Sequence, residues 1–189
     1  MKPRIIANVC YPWLRKEGFG GRLHDELVLG RKKDSPGARK IGAVDKINGP
    51  GGKFKPSVDF SKIHAAQREV EEEFGITPVL ESIVLAGIIF FEHPEFDSEV
   101  EFYFTNLWTG NLLEESDEFR EIRPWPINAL PFNEMMDSDK RFLMPLWLHG
   151  ALVRGEILHT TVRIGADKLI IDAEPFWFEK RTFQLPLFV

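Results

Sequence analysis

The stretch Arg68-Glu69-Val70-Glu71-Glu72-Glu73-Phe74-Gly75-Ile76 decides how the rest of the chain is read. From upstream into this stretch Ile63, Ala66, Val70 and Phe74 recur at helical spacing, Ser61 stands as an N-cap, and Gly75 follows the last apolar repeat. Together these predict one amphipathic helix with a capped start and a glycine stop. On that helix Glu69, Glu72 and Glu73 fall at i, i+3 and i+4, so three carboxylates gather on one face. Like charges so placed repel. A hard divalent cation would turn the repulsion into ligation, because magnesium prefers oxygen donors and commonly bridges phosphates. A plain acidic surface is the bland reading of a charge run alone. The loop ahead of the helix tips the balance: Asn48-Gly49-Pro50-Gly51-Gly52-Lys53 offers backbone that a phosphate or metal can approach. Arg68 and Glu72, one turn apart, are placed to pair.

Working outward, Ile5 to Leu14 and Glu26 to Gly30 read as a first hairpin around Gly18 to Gly21, and residues 31–58 as a long loop without a sustained period. Beyond the helix, Leu80 to Phe91, Glu99 to Leu107 and Glu121 to Trp125 read as strands, and Asp139 to Val153 as a second helix. Glu156 to Arg163 and Lys168 to Ala173 form a last hairpin about Gly165-Ala166-Asp167. Strands, helix, strands, helix, strands describe a mixed α/β sandwich. With 189 residues and no internal repeat, one domain over residues 1–189 is expected.

A formal net charge of −5 argues against an extended nucleic-acid surface, though a bound metal still lets a small phosphorylated ligand in. The 16 Phe and 5 Trp promise a well-filled interior with room for an aromatic pocket. The single cysteine, Cys10, reads as core or pocket wall and suits a reducing cytoplasm. Met1-Lys2-Pro3-Arg4 leads into only a short apolar run, so neither a signal peptide nor a membrane span is expected.

The run GGK at Gly51 to Lys53 followed by REVEEEFGI at Arg68 to Ile76 resembles the signature of the Nudix hydrolases. The resemblance implies an α/β/α sandwich with a mixed β-sheet, and metal-assisted attack of water on a phosphorus of a nucleoside diphosphate linked to another group. It implies that Glu69, Glu72 and Glu73 hold magnesium, with manganese as the alternative, together with the Gly52 carbonyl, and that Arg68 orients a glutamate. Two departures stand out. The glutamate usual eight positions before the arginine is replaced by Phe60, and the glycine-to-arginine spacing is two residues longer. Asp59 either substitutes for that acid or caps the helix.

Glu115-Ser116-Asp117-Glu118, Arg123-Pro124-Trp125, Leu130-Pro131-Phe132 and Met135-Met136 resemble the oxidised purine nucleoside triphosphatases, relatives of bacterial MutT that sanitise the nucleotide pool for DNA repair. By that likeness Glu118 is a further metal-binding or base-like acid, Asn48 and Asp139 hold the purine edge, and Met136 stands where an aromatic residue stacks on the base. The second aspartate of the family's pair is replaced by Lys140 beside Asp139, or the pair is Asp137 with Asp139 in a shifted loop. Lys53 joins the substrate contacts. Lys32 and Lys33 read either as phosphate contacts or as a solvated hairpin end. The function implied is hydrolysis of 8-oxo-dGTP-like triphosphates to monophosphate and pyrophosphate. ADP-ribose, a dinucleoside polyphosphate or capped RNA are alternative substrates, and a nucleotide-binding module without catalysis is the alternative from another class.

Overall fold

The computed structural model describes residues 2–17, 23–148 and 154–180, with the side chains of residues 145–148 outside that description. Its elements are β1 (Arg4–Glu17), β2 (Leu23–Lys32), α1 (Pro36–Ile41), β3 (Ile47–Asn48), α2 (Lys62–Phe74), β4 (Ile76–Pro78), β5 (Val84–Glu92), β6 (Asp97–Thr105), β7 (Trp108–Gly110), β8 (Phe119–Pro126), α3 (Asp137–Leu148), β9 (Glu156–Ile164), β10 (Ile170–Ala173) and β11 (Trp177–Lys180).

Nine strands form one mixed sheet. Its main path runs β10-β9-β5-β6-β1-β2-β3, with β11 added on β9 and β8 on β2. The β1–β6 and β5–β9 pairs are parallel, and the other pairs of this sheet are antiparallel. Alternation along each central strand sends neighbours to opposite faces. Cys10, Val28 and Tyr103 join Ala66, Val70 and Phe74 of α2 in one core. Tyr11, Leu27, Leu29, Phe102 and Phe104 join Phe142 and Leu143 of α3 in the other. One helix on each face of a mixed sheet is the expected α/β/α sandwich.

Between β2 and α2 the structure corrects the expectation of a structureless loop over 31–58. Ser35 caps α1 by accepting from the Ala38 N–H at 3.1 Å, Pro36 opens it, and Gly42 closes it in the left-handed region. Six residues are too few to show a period. Two-residue β3 is held by pairing with β2 and has no pattern of its own. The strand expected over Leu80 to Phe91 starts at Val84, after a 3₁₀ turn at Leu80–Ser82, and the helix expected from Asp139 starts at Asp137. The segment Phe176-Trp177-Phe178 lies largely in β11, paired antiparallel to β9. The Gly18 to Gly21 connection and the last residues of the expected second helix, 149–153, lie outside the described residues.

Ser61 caps α2 as read, accepting from the His64 N–H at 3.1 Å, and Gly75 ends it at φ 75° with its N–H on the Glu71 carbonyl. Ile63, expected in the buried stripe, is exposed. Ala65 takes its place, and the same side of the helix buries Glu69 and Glu73.

Candidate active site

The acid-bearing helix meets the glycine run because β2 leaves β1 early. Register pairs Trp13 with Leu27 and runs only towards the far ends of the two strands. The edge of β1 before Trp13 is taken by the loop: Asn8 N–H donates to the Gly52 carbonyl, Cys10 N–H to Pro50 and Phe54 N–H to Ile6, each at 2.9 Å. Gly51 is thereby pressed onto the backbone. A Cβ there would lie 2.2 Å from the Asn8 carbonyl oxygen and 2.8 Å from Val9 Cα. At Gly52 it would meet the Glu69 carboxylate at 2.4 Å. Only glycine lets this loop lie between β1 and α2.

Arg68 organises the start of the acidic face. Its guanidinium grips both oxygens of Asp59 (Nε–Oδ1 2.8 Å, Nη2–Oδ2 3.1 Å) and donates through Nη1 to Glu69 at 2.7 Å and Glu72 at 3.0 Å. The Asp59 side chain is fully buried and also accepts from the Lys55 N–H at 2.7 Å. Of the two roles open to Asp59, pairing with Arg68 is the one it performs, since Ser61 is the cap. Phe60, at 92% exposure, points away and packs on His64. The bond to Arg68 holds the Asp59 carboxyl below its ordinary range. Asp59→Asn keeps the shape but halves the fork and leaves Arg68 short of countercharge. A loss of about 2–3 kcal/mol in urea unfolding is expected, and Asp59→Glu should recover less than half of it if bidentate geometry is what matters.

Lys32 organises the other end. Contrary to the solvated-end reading, it is buried, with Nζ 3.0 Å from Glu73, 2.8 Å from Glu118 and 4.1 Å from the centre of the Phe119 ring. The second Glu73 oxygen accepts from the Gly51 N–H at 2.7 Å. Burial pushes the Glu73 carboxyl up to about 8 despite Lys32, and it raises Glu69 despite Arg68. At Glu118 burial acts upward as well, but the contact with Lys32 prevails and the carboxyl sits below its usual value. Glu72 stands apart with its side chain 55% exposed.

Among the described residues no three such groups converge as a ready-made metal cage; Arg68 contacts Asp59, Glu69 and Glu72, and Lys32 contacts Glu73 and Glu118. The donor set nonetheless suits a hard divalent cation: Glu69, Glu72, Glu73, Glu118 and the Gly52 carbonyl are all oxygen donors. The ammonium of Lys32, seated between two carboxylates, shows that this end of the site already accommodates a positive charge. The Gly52 carbonyl bonds to Asn8 and keeps a second lone pair.

On the α3 face a pocket of about 670 Å³, counting its open mouth, is walled by Val9, Phe102 and Met136 and carries Asn48 and Asp139. Asn48 is oriented on three sides: its Oδ1 accepts from the Gly49 N–H at 2.7 Å and from the Tyr11 hydroxyl at 3.3 Å, and its Nδ2 faces the Met136 sulfur at 3.6 Å. Asp139 is buried. One oxygen faces the Ser138 hydroxyl at 3.5 Å and the other, Oδ2, has no hydrogen-bond partner among the described residues. Desolvation pushes its carboxyl up to about 7. Of the two neighbours weighed for Asp139, Asp137 lines the pocket, with Ser138 beside it, and Lys140 is not among the described lining residues. The start of α3 at Asp137 turns Ser138 inward. Lys53 is exposed, its backbone bridged to Ala7, and its side chain is not part of the pocket wall. Sequence reading left Asp59 between two roles and missed the burial of Lys32. For Asp59 the signal was its place nine residues before Arg68; nothing local marks Lys32 as buried.

Among the described residues no helix is long and apolar enough to cross a membrane. No curated protein matches the chain. Solved structures do. The MutT protein from Bacillus halodurans has 18% identity over 90% of this chain and 96% of its own, with a TM-score of 0.66. The NUDIX domain of NrtR from Shewanella oneidensis, complexed with ADP ribose, has 12% identity over 79% and 90%, TM-score 0.59. An Ap4A hydrolase from C. elegans has 16% identity over 77% and 98%, TM-score 0.52. At such identities the likeness is one of fold. The NUDIX domain family matches residues 19–146, which takes in the glycine loop, the acidic helix and the start of α3, and the chain therefore belongs to the NUDIX hydrolase family.

Proposed function

We propose that the protein hydrolyses purine nucleoside triphosphates, oxidised ones above all, to the monophosphate and pyrophosphate with magnesium or manganese. The observation that carries this reading is the continuity of one loop. Asn48 faces the pocket, and four residues on, Gly52 lies against Glu69 beside the acidic helix. A base held at Asn48 therefore directs its phosphates over Gly51 and Gly52 towards the acids.

Glu69, Glu72, Glu73 and Glu118 would hold the metal with the Gly52 carbonyl, while Arg68, itself fixed by Asp59, sets the positions of Glu69 and Glu72. When bound, the metal offsets phosphate charge and makes water a better nucleophile at neutral pH. Water then attacks phosphorus, the bond to the leaving pyrophosphate breaks, and a carboxylate of this cluster takes the proton. Lys32, buried between Glu73 and Glu118, is placed to follow the leaving phosphate charge. That Asp59 meets Arg68 where a glutamate is usual weighs against the binding-only alternative.

The test is a panel with magnesium: 8-oxo-dGTP, 2-hydroxy-dATP, dGTP, ADP-ribose and a dinucleoside tetraphosphate. A kcat/KM advantage of at least about tenfold for an oxidised purine is expected, since a site that hydrogen-bonds a substrate group rejects analogues lacking it. Preference for ADP-ribose would end the substrate assignment and leave the chemistry standing.

Asp139 supplies a pH signature. Its folded value of about 7 lies above its unfolded value near 4, so the folded state keeps a proton that the unfolded chain has released. The stability it contributes is present below about pH 4 and is lost as pH rises to about 7. Asp139→Asn removes this dependence. The variant is expected to outlast wild type at pH 8 by on the order of 3 kcal/mol in urea unfolding, while losing the change in base preference that protonation of Asp139 would impose near neutrality.

A further inference from the structure

The pocket is longer than the base it is proposed to hold. Phe102, Val100 and Ser98 occupy alternate positions of β6 and all line it. At about 3.3 Å per residue they span roughly 13 Å, more than a fused purine ring. Asn48 marks one end, through Tyr11, whose ring stacks on Phe102. The other end is made by Ser98, His93 and Lys168.

That far end has the marks of a recognition site. His93 and Ser98 are each more than nine-tenths buried, and Nδ1 of His93 is buried with no hydrogen-bond partner among the described residues. A buried orphan of this kind costs stability unless a ligand satisfies it. The ring stacks on Phe96 at 4.2 Å, and Lys2 Nζ donates to the backbone carbonyl of His93 at 2.8 Å. Lys168 adds a cation at the rim. It holds a left-handed backbone, φ 68°, that side-chain-bearing residues rarely adopt, and packs against Gly42 at the end of α1. Its N–H donates to the Gly165 carbonyl at 3.1 Å, which closes the β9–β10 turn. One end of the pocket therefore carries a carboxyl and an amide, and the other presents a hydroxyl, an imidazole nitrogen and the positive charge of Lys168.

We propose that Ser98, His93 and Lys168 form a second specificity end of this pocket, which takes an anionic or hydrogen-bond-accepting substituent on the exocyclic nitrogen of the purine. The preferred nucleotides then include purines enlarged by a carboxyl- or carbonyl-tipped adduct. The inference rests on the base-pocket assignment made above, but it is tested by binding and needs no turnover.

The full-length protein without metal is titrated by calorimetry with N6-carboxymethyl-dAMP and with its uncharged isostere N6-isobutyl-dAMP. Wild type is expected to bind the carboxymethyl compound about tenfold more tightly, the scale of one charge-assisted hydrogen bond. Lys168→Met and, separately, His93→Phe, which keeps an aromatic ring on Phe96, are each expected to bring the ratio near one. Equal binding of the two compounds by wild type, binding of neither, or a ratio unmoved in both variants overturns the proposal. If the ratio holds while no oxidised triphosphate is hydrolysed, the substrate assignment falls and the second specificity end stands. If those triphosphates are hydrolysed while the ratio is one, the specificity end alone is wrong.

Discussion

Glu72→Gln is expected to lower kcat by about 10²–10³ with an unfolding midpoint indistinguishable from wild type. The separation of the two effects comes from where Glu72 sits. Its side chain is more than half exposed and pairs with Arg68, an i, i+4 contact at 3.0 Å. Pairs so placed contribute only about 0.3–0.5 kcal/mol, and glutamine keeps the hydrogen bond. What the amide cannot supply is a negative oxygen for a divalent cation beside Glu69 and Glu73. The measurement is pyrophosphate release under saturating magnesium, with urea unfolding alongside. Wild-type turnover that the variant matches would remove Glu72 from the metal set; a lowered midpoint would mean that its role is structural.

Gly51→Ala should be the most destabilising single change around the loop, by about 3–5 kcal/mol. The new methyl would meet the Asn8 carbonyl oxygen at 2.2 Å and Val9 Cα at 2.8 Å. Both are backbone atoms of a central strand already paired with β6, so neither can swing aside as a side chain would. The loop must lift instead, which strains the Asn8–Gly52 and Cys10–Pro50 bonds and withdraws the Gly51 N–H from Glu73. Turnover should fall with stability, because the same shift moves the Gly52 carbonyl away from Glu69. At Gly37, where a Cβ would meet only the Ser35 hydroxyl at 3.9 Å, alanine should be nearly neutral, which makes it the control. Equal unfolding curves for Gly51→Ala and wild type would mean that the loop is not seated on β1.

The helix, its cap and its glycine stop were legible in residues 61 to 76, because helical periodicity and capping are local properties. So were the mixed sandwich and the aromatic core, since alternation along a strand is written in neighbouring residues. Short elements were not. Six-residue α1 and two-residue β3 exist through a cap and through pairing with β2, neither of which leaves a period.

Tertiary structure alone decided the rest. Asp59 and Phe60 adjoin in the chain, and either side chain could have turned inward; the fork of Arg68 on α2 selects the acid and leaves the ring in solvent. Lys32 looks like a surface lysine at a strand end until Glu73 and Glu118, 41 and 86 residues away, close around it. The far end of the pocket joins β6 at Ser98, the end of β5 at His93 and the β9–β10 turn at Lys168. Local sequence determines which chemistry the acidic helix can perform. Which ions balance it, and what pocket lies beside it, depend on electrostatics and shape between segments that meet only when the sheet closes.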